Sequence, residues 1–295
     1  MVDEYDTKSN STVELLPQDD DGIENKIDPT TDSVIKNWGQ YKKDYPTDWQ
    51  NALRSVTDAK CLLSYTIDDK TLEAIDFSGS EKVTNTCYMF GGQRKLSAYD
   101  NLMDTKNVTN MSYMFSECIG LERVTIDITN LSNARSMFEG CTKLKKIIFI
   151  GDGHLFATND SAMYLFSACR SLENPPLFYR PKGNATGMFR LCEALKEIPA
   201  YDMREVTSTN SVSIGSSWAM LYGCTNLEKI HFTGLRVKLD ISSSTKFTRE
   251  ALVEILTNLG QASGGSQTLT MGETNLAKLT ADDIAIATAK GWTLQ

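Results

Sequence analysis

The chain has 295 residues, 41% of them hydrophobic and 23% charged, and a net charge of −8. That composition can bury a sizeable core, while no stretch approaches the roughly 20 consecutive apolar residues of a membrane span. A basic nucleic-acid surface is excluded as well: residues 1–33 carry ten acids against Lys8 and Lys26, which equals the whole net charge, and the remainder balances at 28 basic to 28 acidic residues.

Residues 1–33 read as an acidic extended arm. With so few apolar side chains the segment is predicted to be disordered alone and to serve as an attachment device. Val13, Leu15, Leu16, Ile23 and Ile27 would fill pockets on a partner protein, and Asp19, Asp20 and Asp21 would meet basic grooves there. Asp19-Asp20-Asp21-Gly22 lacks the alternating oxygen ligands and the twelfth-position Glu of an EF-hand, so calcium is not expected. The start, Met-Val-Asp-Glu-Tyr-Asp, has neither the basic nor the apolar part of a secretory signal, so the Sec route is not expected if this is the native N-terminus.

Residues 34–55 read as an aromatic helical N-cap. Ser33 can cap a short helix bearing Trp38, Tyr41 and Tyr45 that stops at Pro46, and Thr47 can cap a second with Trp49, Ala52, Leu53 and Val56.

Residues 56–235 repeat. The run Met-Phe, two residues, Cys, two residues, Leu occurs at Met114/Phe115/Cys118/Leu121, Met137/Phe138/Cys141/Leu144 and Met188/Phe189/Cys192/Leu195, with variants at Leu165/Phe166/Cys169/Leu172 and Met220/Leu221/Cys224/Leu227. Two worn copies precede these, at Leu63 and at Met89/Phe90/Leu96, the latter with Gln93 where Cys is expected. The anchors Leu63, Phe90, Phe115, Phe138, Phe166, Phe189 and Leu221 are 27, 25, 23, 28, 23 and 32 residues apart, a period in the leucine-rich-repeat range. After each anchor, Leu-x-x-apolar-x-apolar ends in the alternation of a short strand, and the arc before the anchor is expected to hold a helical turn or two. One such unit cannot offset its own ordering entropy, so the units must stack. The expected fold is α/β: a leucine-rich-repeat-like solenoid of about seven coils on one parallel sheet, roughly 30 Å long at about 4.8 Å per strand. It carries a helical N-terminal cap and an α+β C-terminal cap. The residue after each Leu runs Glu73, Ser97, Glu122, Lys145, Glu173, Lys196, Glu228, alternating in sign as register pins would.

Residues 236–295 read as the C-terminal cap. Thr248 opens a helix with Leu252, Ile255, Leu256 and Leu259 on one face, Gly264-Gly265 turn, Leu269 and Met271 suggest a strand, and Thr280 with Asp283 approximates a capping box.

Motifs that carry chemistry are lacking along the same path. No phosphate loop appears, the two histidines are far apart, and no thiol cluster has zinc-ligand spacing, so no catalytic, cofactor or metal residue is assigned. Of seven Cys, five share one repeat column and read as buried, reduced side chains. The sequons at Asn107, Asn110, Asn130 and Asn184 arise from the repeat's own turn and are not read as glycosylation sites.

The run from Asn107 to Leu121, Asn-Val-Thr-Asn-Met-Ser-Tyr-Met-Phe-Ser-Glu-Cys-Ile-Gly-Leu, closely resembles the BspA-like leucine-rich repeats of bacterial surface proteins, which also occur in protist surface proteins and in phages of gut bacteria. The resemblance covers roughly residues 56–235. It implies adhesins, receptor-binding modules or structural spacers, with no catalytic residue to transfer. The stretch from Leu269 to Thr280 and Ala289-Lys290-Gly291-Trp292 look like endings of phage-encoded and gut-bacterial members. The resemblance therefore implies a non-enzymatic structural or attachment protein, a virion component such as a fibre, decoration or tail protein assembled in the host cytoplasm. The alternative is a bacterial cell-surface adhesin. Expected partners are other virion or surface proteins met through residues 1–33, with no nucleic acid, no membrane span and no cofactor, and with homo-oligomerisation left open.

Overall fold

The structure, a computed structural model, describes residues 57–63, 77, 79–151, 162–176, 181–209 and 216–295. The acidic arm with Val13, Leu15, Leu16, Asp19, Asp20, Asp21, Ile23 and Ile27, and the expected helical cap at 34–55, lie outside those residues.

The repeats anchored on Leu63, Phe90, Phe115, Phe138 and Phe189 begin at an Asx turn. Asn110 Oδ1 accepts from Ser112 N at 3.1 Å, and Asn85, Asn133 and Asn184 do the same two residues on at 3.0, 3.1 and 2.9 Å. A short polar side chain that accepts from its own backbone starts a turn, which is why the motif reads Thr-Asn-Met or Asn-Ala there. Asp58, Asn85, Asn110 and Asn133 are joined in sequence by parallel bridges, so the turn starts lie directly over one another.

In the next segment, the arc, the repeat anchored on Leu221 keeps the expected helical turn as the 3-10 turn Ser216–Trp218. In the repeats anchored on Phe90, Phe115, Phe138, Phe166 and Phe189 the arc is not a helical turn. Two of its residues, two before and two after the anchor, are left-handed. The first column runs Cys61, Tyr88, Tyr113, Ser136, Tyr164 and Gly187, with φ from 52° to 63°. The second runs Gly92, Glu117, Gly140, Ala168, Leu191 and Gly223. These hands break any i→i−4 ladder, and alternate amides take different partners instead. Met114, Ser116 and Cys118 donate back three residues within the arc, at 3.0 to 3.1 Å. Tyr113, Phe115 and Glu117 donate to Arg135, Met137 and Glu139 of the next repeat, at 2.7 to 2.9 Å. A non-glycine residue in the left-handed region costs about 1–2 kcal/mol, and the bonds between repeats offset that cost.

Inside the arcs the anchors form a continuous column. Phe90, Phe115, Phe138, Phe166 and Phe189 stack at centroid distances of 5.4, 5.6, 5.8 and 5.5 Å with interplanar angles of 6°, 1°, 7° and 17°. Tyr201 and Phe232 continue it beyond Phe189 at 6.3 and 6.2 Å.

The cysteine column is more than small apolar filling. The thiols of Cys118, Cys141, Cys169, Cys192 and Cys224 donate at 3.0 to 3.2 Å to the carbonyls of Phe90, Phe115, Phe138, Phe166 and Phe189, each the anchor of the preceding repeat. Gln93, which stands where a worn copy lacks its Cys, donates through Nε2 to the carbonyl of Leu63, the anchor before it. The column thus requires a donor that reaches one layer back, and Cys and Gln both supply it. All seven Cys are free thiols, five of them buried. Thiol titration is expected to count seven groups in denaturant and no more than Cys61 and Cys87, the two half-buried ones, in the native protein.

On the strand side, β1 (Ala98–Asp100), β2 (Arg123–Asp127) and β3 (Lys146–Ile150) form a parallel three-stranded sheet in the register Ala98, Arg123, Lys146. Among the described residues this sheet does not continue beyond β3. The repeat anchored on Phe166 has Pro175 and Pro176 where β2 has Val124 and Thr125, and Pro199 comes directly after β5, so amide donors are missing from the ladder. Beyond β3 the strands form separate pairs: β4 (Gly183–Asn184) with β6 (Val206–Ser208), at the Asx-turn edge, and β5 (Glu197–Ile198) with β7 (Lys229–Ile230). The expected leucine-rich-repeat-like solenoid of seven coils on one parallel sheet is therefore corrected. The described residues form four short parallel sheets of two or three strands, joined by tight arcs of which one, at Ser216–Trp218, is helical, with few helices.

The charges beside the strands do meet across repeats. Lys145 Nζ lies 3.4 Å from Glu122 Oε2 and Lys196 Nζ 2.8 Å from Glu173 Oε2. Both pairs are exposed. Lys145→Glu, which sets two carboxylates side by side, is expected to cost about 1 kcal/mol in urea unfolding, partly restored by adding Glu122→Lys. An unchanged midpoint in the single variant would argue against the register.

At the C-terminal end, α1 (Arg249–Asn258) is capped by Thr248, whose Oγ1 accepts from Ala251 N at 3.2 Å. After β8 (Leu239–Asp240) and β9 (Gln267–Thr270) come the short α2 (Glu273–Leu276), then α3 (Ala281–Thr288) with a complete capping box between Thr280 and Asp283, then β10 (Trp292–Leu294). The three strands pair in the order β10-β9-β8. Arg249 grips both carboxylate oxygens of Asp283 at 2.8 Å, and Lys290 Nζ donates to the last carbonyls of α1, those of Leu256, Thr257 and Leu259. Cations placed at a helix C-terminus satisfy its orphan acceptors, so this end is closed by charge as well as by the buried Trp292.

Candidate functional site

The strand side offers little to a ligand: its charges neutralise one another in pairs, as at Arg123 and Asp100, 3.0 Å apart. His231 is likewise engaged, with Nδ1 2.5 Å from Glu254 and Nε2 3.3 Å from Glu197, tying α1 to the strands. Among the described residues no group of three His, Cys, Asp or Glu side chains is gathered as a metal ion needs. Nor do the buried thiols suit nucleophilic work: burial pushes Cys118 and Cys224 up to about 12 and Cys141 and Cys192 well above the ordinary thiol value, whereas reactive cysteines have lowered values. A protonated thiol is the form the ladder of S–H donors needs.

The arc side differs. The left-handed column before the anchors holds tyrosines, and the neighbouring columns hold arginine, glutamate and tryptophan. Tyr88 and Tyr113 lie 6.4 Å apart, and Arg135 Nε donates to the Tyr113 hydroxyl at 3.2 Å. Two repeats on, Tyr164 meets Trp218 edge to face at 5.6 Å and 74°, and the Arg190 guanidinium lies 4.5 Å over the indole while its Nε donates to Ser217 O at 2.8 Å. These side chains are half-buried, rings presented at the surface without standing clear of it.

Glycines set the rings in place. A Cβ on Gly91 would lie 2.7 Å from the Tyr88 ring, and one on Gly187 would lie 2.3 Å from the ring of Tyr164. The left-handed backbone turns the tyrosines to this side, and at Tyr88 and Tyr164 a bare glycine leaves room for the ring.

Glu139 sits among these groups, under the influence of Arg135 and Arg190. Burial holds its carboxyl, and that of Glu117, above the ordinary value. A group whose folded value is raised contributes stability that is present below its unfolded value and lost as pH rises through the folded one. Glu139→Gln is therefore expected to melt above wild type at pH 7 and level with it at pH 4. A variant that melts lower at pH 7 would mean that the arginines more than offset the burial.

The residues assigned to partner binding from sequence, Val13 to Ile27, cannot be joined to this surface, since they lie outside the described residues. The track itself was missed. Its signal was Tyr-Met-Phe at Tyr88 and Tyr113 and Tyr-Leu-Phe at Tyr164, in phase with the anchors.

Residues 62–176, less than half of the chain, are similar to the family described as "Mycoplasma protein of unknown function, DUF285". No curated protein and no solved structure matches the chain. The matched family is a different one from the BspA-like leucine-rich repeats, so that resemblance is corrected. The physical reason lies in what the motif encodes: Asn for the turn, Phe for the ring column and Cys for a carbonyl bond. These are demands of stacked arcs and do not single out a leucine-rich repeat. No helix among the described residues is long and apolar enough to cross a membrane.

Proposed function

We propose that the chain is a non-enzymatic attachment protein whose stacked arcs display a binding surface. The observation that carries this reading is the track from Tyr88 to Trp218, where aromatic rings and the arginines that contact them lie together on one side. Rings of this kind, rigid and amphipathic, are what recognition surfaces use. The setting proposed is a virion, with the acidic arm docking onto another particle protein.

The thiol ladder supports that setting over a bacterial cell surface. Seven thiols in an unfolded chain invite mispairing in an oxidising compartment, and the ladder needs each of its S–H groups intact. Folding in a reducing cytoplasm and then assembling there avoids the conflict. Mass spectrometry of particles purified from the source culture tests the setting. Recovery of the chain in particles at stoichiometric level is expected; recovery from the cell envelope, with particles free of it, overturns the virion reading in favour of the adhesin.

A further inference from the structure

Two of the seven cysteines stand outside the buried ladder. Cys61 lies two residues before the anchor Leu63 and Cys87 three before the anchor Phe90, in adjacent repeats, and both are half-buried. Cys61 N donates to Cys87 O at 3.0 Å. The bonds on either side, Ala59 N to Asn85 O at 2.8 Å and Leu63 N to Met89 O at 2.9 Å, hold the two arcs in register around that pair. Backbones joined in this way run about 5 Å apart, within the roughly 4.4–6.8 Å between Cα atoms that a disulfide bond spans.

Side chains at these two offsets meet elsewhere in the stack. In the repeats anchored on Phe115 and Phe138 the equivalent residues are Tyr113 and Arg135, joined by the same backbone bond at 2.8 Å, and Arg135 Nε donates to the Tyr113 hydroxyl. The two thiols also act on one another: burial, and next the neighbouring Cys87, push the Cys61 thiol up to about 11. The ladder thiols differ. Cys118, Cys141, Cys169, Cys192 and Cys224 are solvent-inaccessible, and each S–H is committed to a carbonyl, so an oxidant does not reach them while the arcs are stacked.

We propose that Cys61 and Cys87 form a modification site, closing into a disulfide bond in the folded protein on exposure to a low-molecular-weight disulfide such as oxidised glutathione, while the five ladder thiols stay reduced. One protein thiol gives its proton to solvent, and its thiolate attacks the small disulfide, forming a mixed disulfide and releasing one glutathione thiolate. The second protein thiol, deprotonated in turn, attacks the protein sulfur of that mixed disulfide and expels the other glutathione thiolate. The protein loses two protons and two electrons, and oxidised glutathione gains them as two reduced molecules. The raised Cys61 thiol is a slow nucleophile, so closure is expected over hours. Cys61 lies in the described repeat nearest in the chain to the acidic arm. Resting on the attachment reading, the bond's use is to keep load on that arm from peeling the repeat away once the particle leaves the reducing cytoplasm; its chemistry does not depend on that reading.

The test incubates the folded, fully reduced full-length protein with oxidised glutathione for several hours, alkylates the remaining thiols in denaturant and maps the peptides without reduction. The expected main product has one intrachain bond, Cys61 to Cys87, and alkyl groups on all five ladder cysteines. Cys61→Ser and Cys87→Ser, with circular dichroism as the check on folding, should each form no intrachain bond and carry at most one glutathione. Should either variant unfold, the wild-type map carries the test alone. Separate glutathione adducts on Cys61 and Cys87, both thiols left unmodified, a bond between copies or a bond to a ladder cysteine overturns the inference. The Cys61–Cys87 bond in purified protein, with the chain absent from particles, upholds this inference and removes only the virion setting.

Discussion

Phe138→Ala is expected to destabilise the protein by about 3–5 kcal/mol, the usual cost of truncating a fully buried core aromatic. Phe138 is solvent-inaccessible and lies between Phe115 at 5.6 Å and Phe166 at 5.8 Å, with Phe149 at 6.4 Å. Its loss removes apolar burial and two stacked contacts, and the hole cannot collapse because the backbone on either side is held by bonds between repeats. In a stack that depends on neighbouring layers, a break in mid-column also uncouples the halves. Urea unfolding monitored by circular dichroism should show a large fall in midpoint; a shift worth under about 1 kcal/mol would mean that the ring column is not the core.

Gly120→Ala is expected to cost about 3 kcal/mol or more, for a different reason. A Cβ there would lie 2.5 Å from the carbonyl oxygen of Arg94 and 3.0 Å from that of Leu96. Both are backbone atoms of the preceding repeat, so no rotamer change relieves the clash and the layers must part. Gly264→Ala is the control: its φ is 67°, but nothing lies within 4 Å of the new methyl, so it is expected to lose only about 1–2 kcal/mol of backbone strain. Equal midpoints for the two variants would contradict the close approach of the layers at Gly120.

The repeat phase was legible because it rests on side chains that have to be buried: Phe, Cys and Leu recur at fixed offsets whatever the backbone does between them. The C-terminal capping box was legible for a similar reason, Thr280 and Asp283 being the residue types and spacing that the device needs. The handedness of the arcs was not. Left-handed positions are usually betrayed by Gly or Asn, but here the columns mix Gly187 and Gly140 with Tyr113, Ser136, Glu117 and Leu191. Bonds from the next repeat hold the non-glycine residues there, and nothing local in the sequence announces them. The end of the first sheet could have been read from Pro175 and Pro176, had their missing amides been weighed against the strand alternation around them.

Gln93 carries the same lesson at one residue. As a hydrophobic column position it reads as decay; as a donor to the carbonyl of Leu63 it fulfils the column's requirement. Likewise the tyrosines passed as ordinary members of a buried motif, because their outward direction depends on the sign of φ.

The arcs and the track are thus one claim: left-handed residues beside each anchor both lock the layers and turn the tyrosines to the surface. Its most direct test is NMR on the full-length protein labelled selectively at tyrosine, reading the intraresidue amide-to-α NOE, which is strong at positive φ and weak in helix or strand. The account predicts strong signals at Tyr88, Tyr113 and Tyr164, whose φ values are 57°, 57° and 54°, and weak ones at Tyr99 and Tyr201. Uniformly weak signals at all five would place those tyrosines in helical or extended backbone and contradict the account.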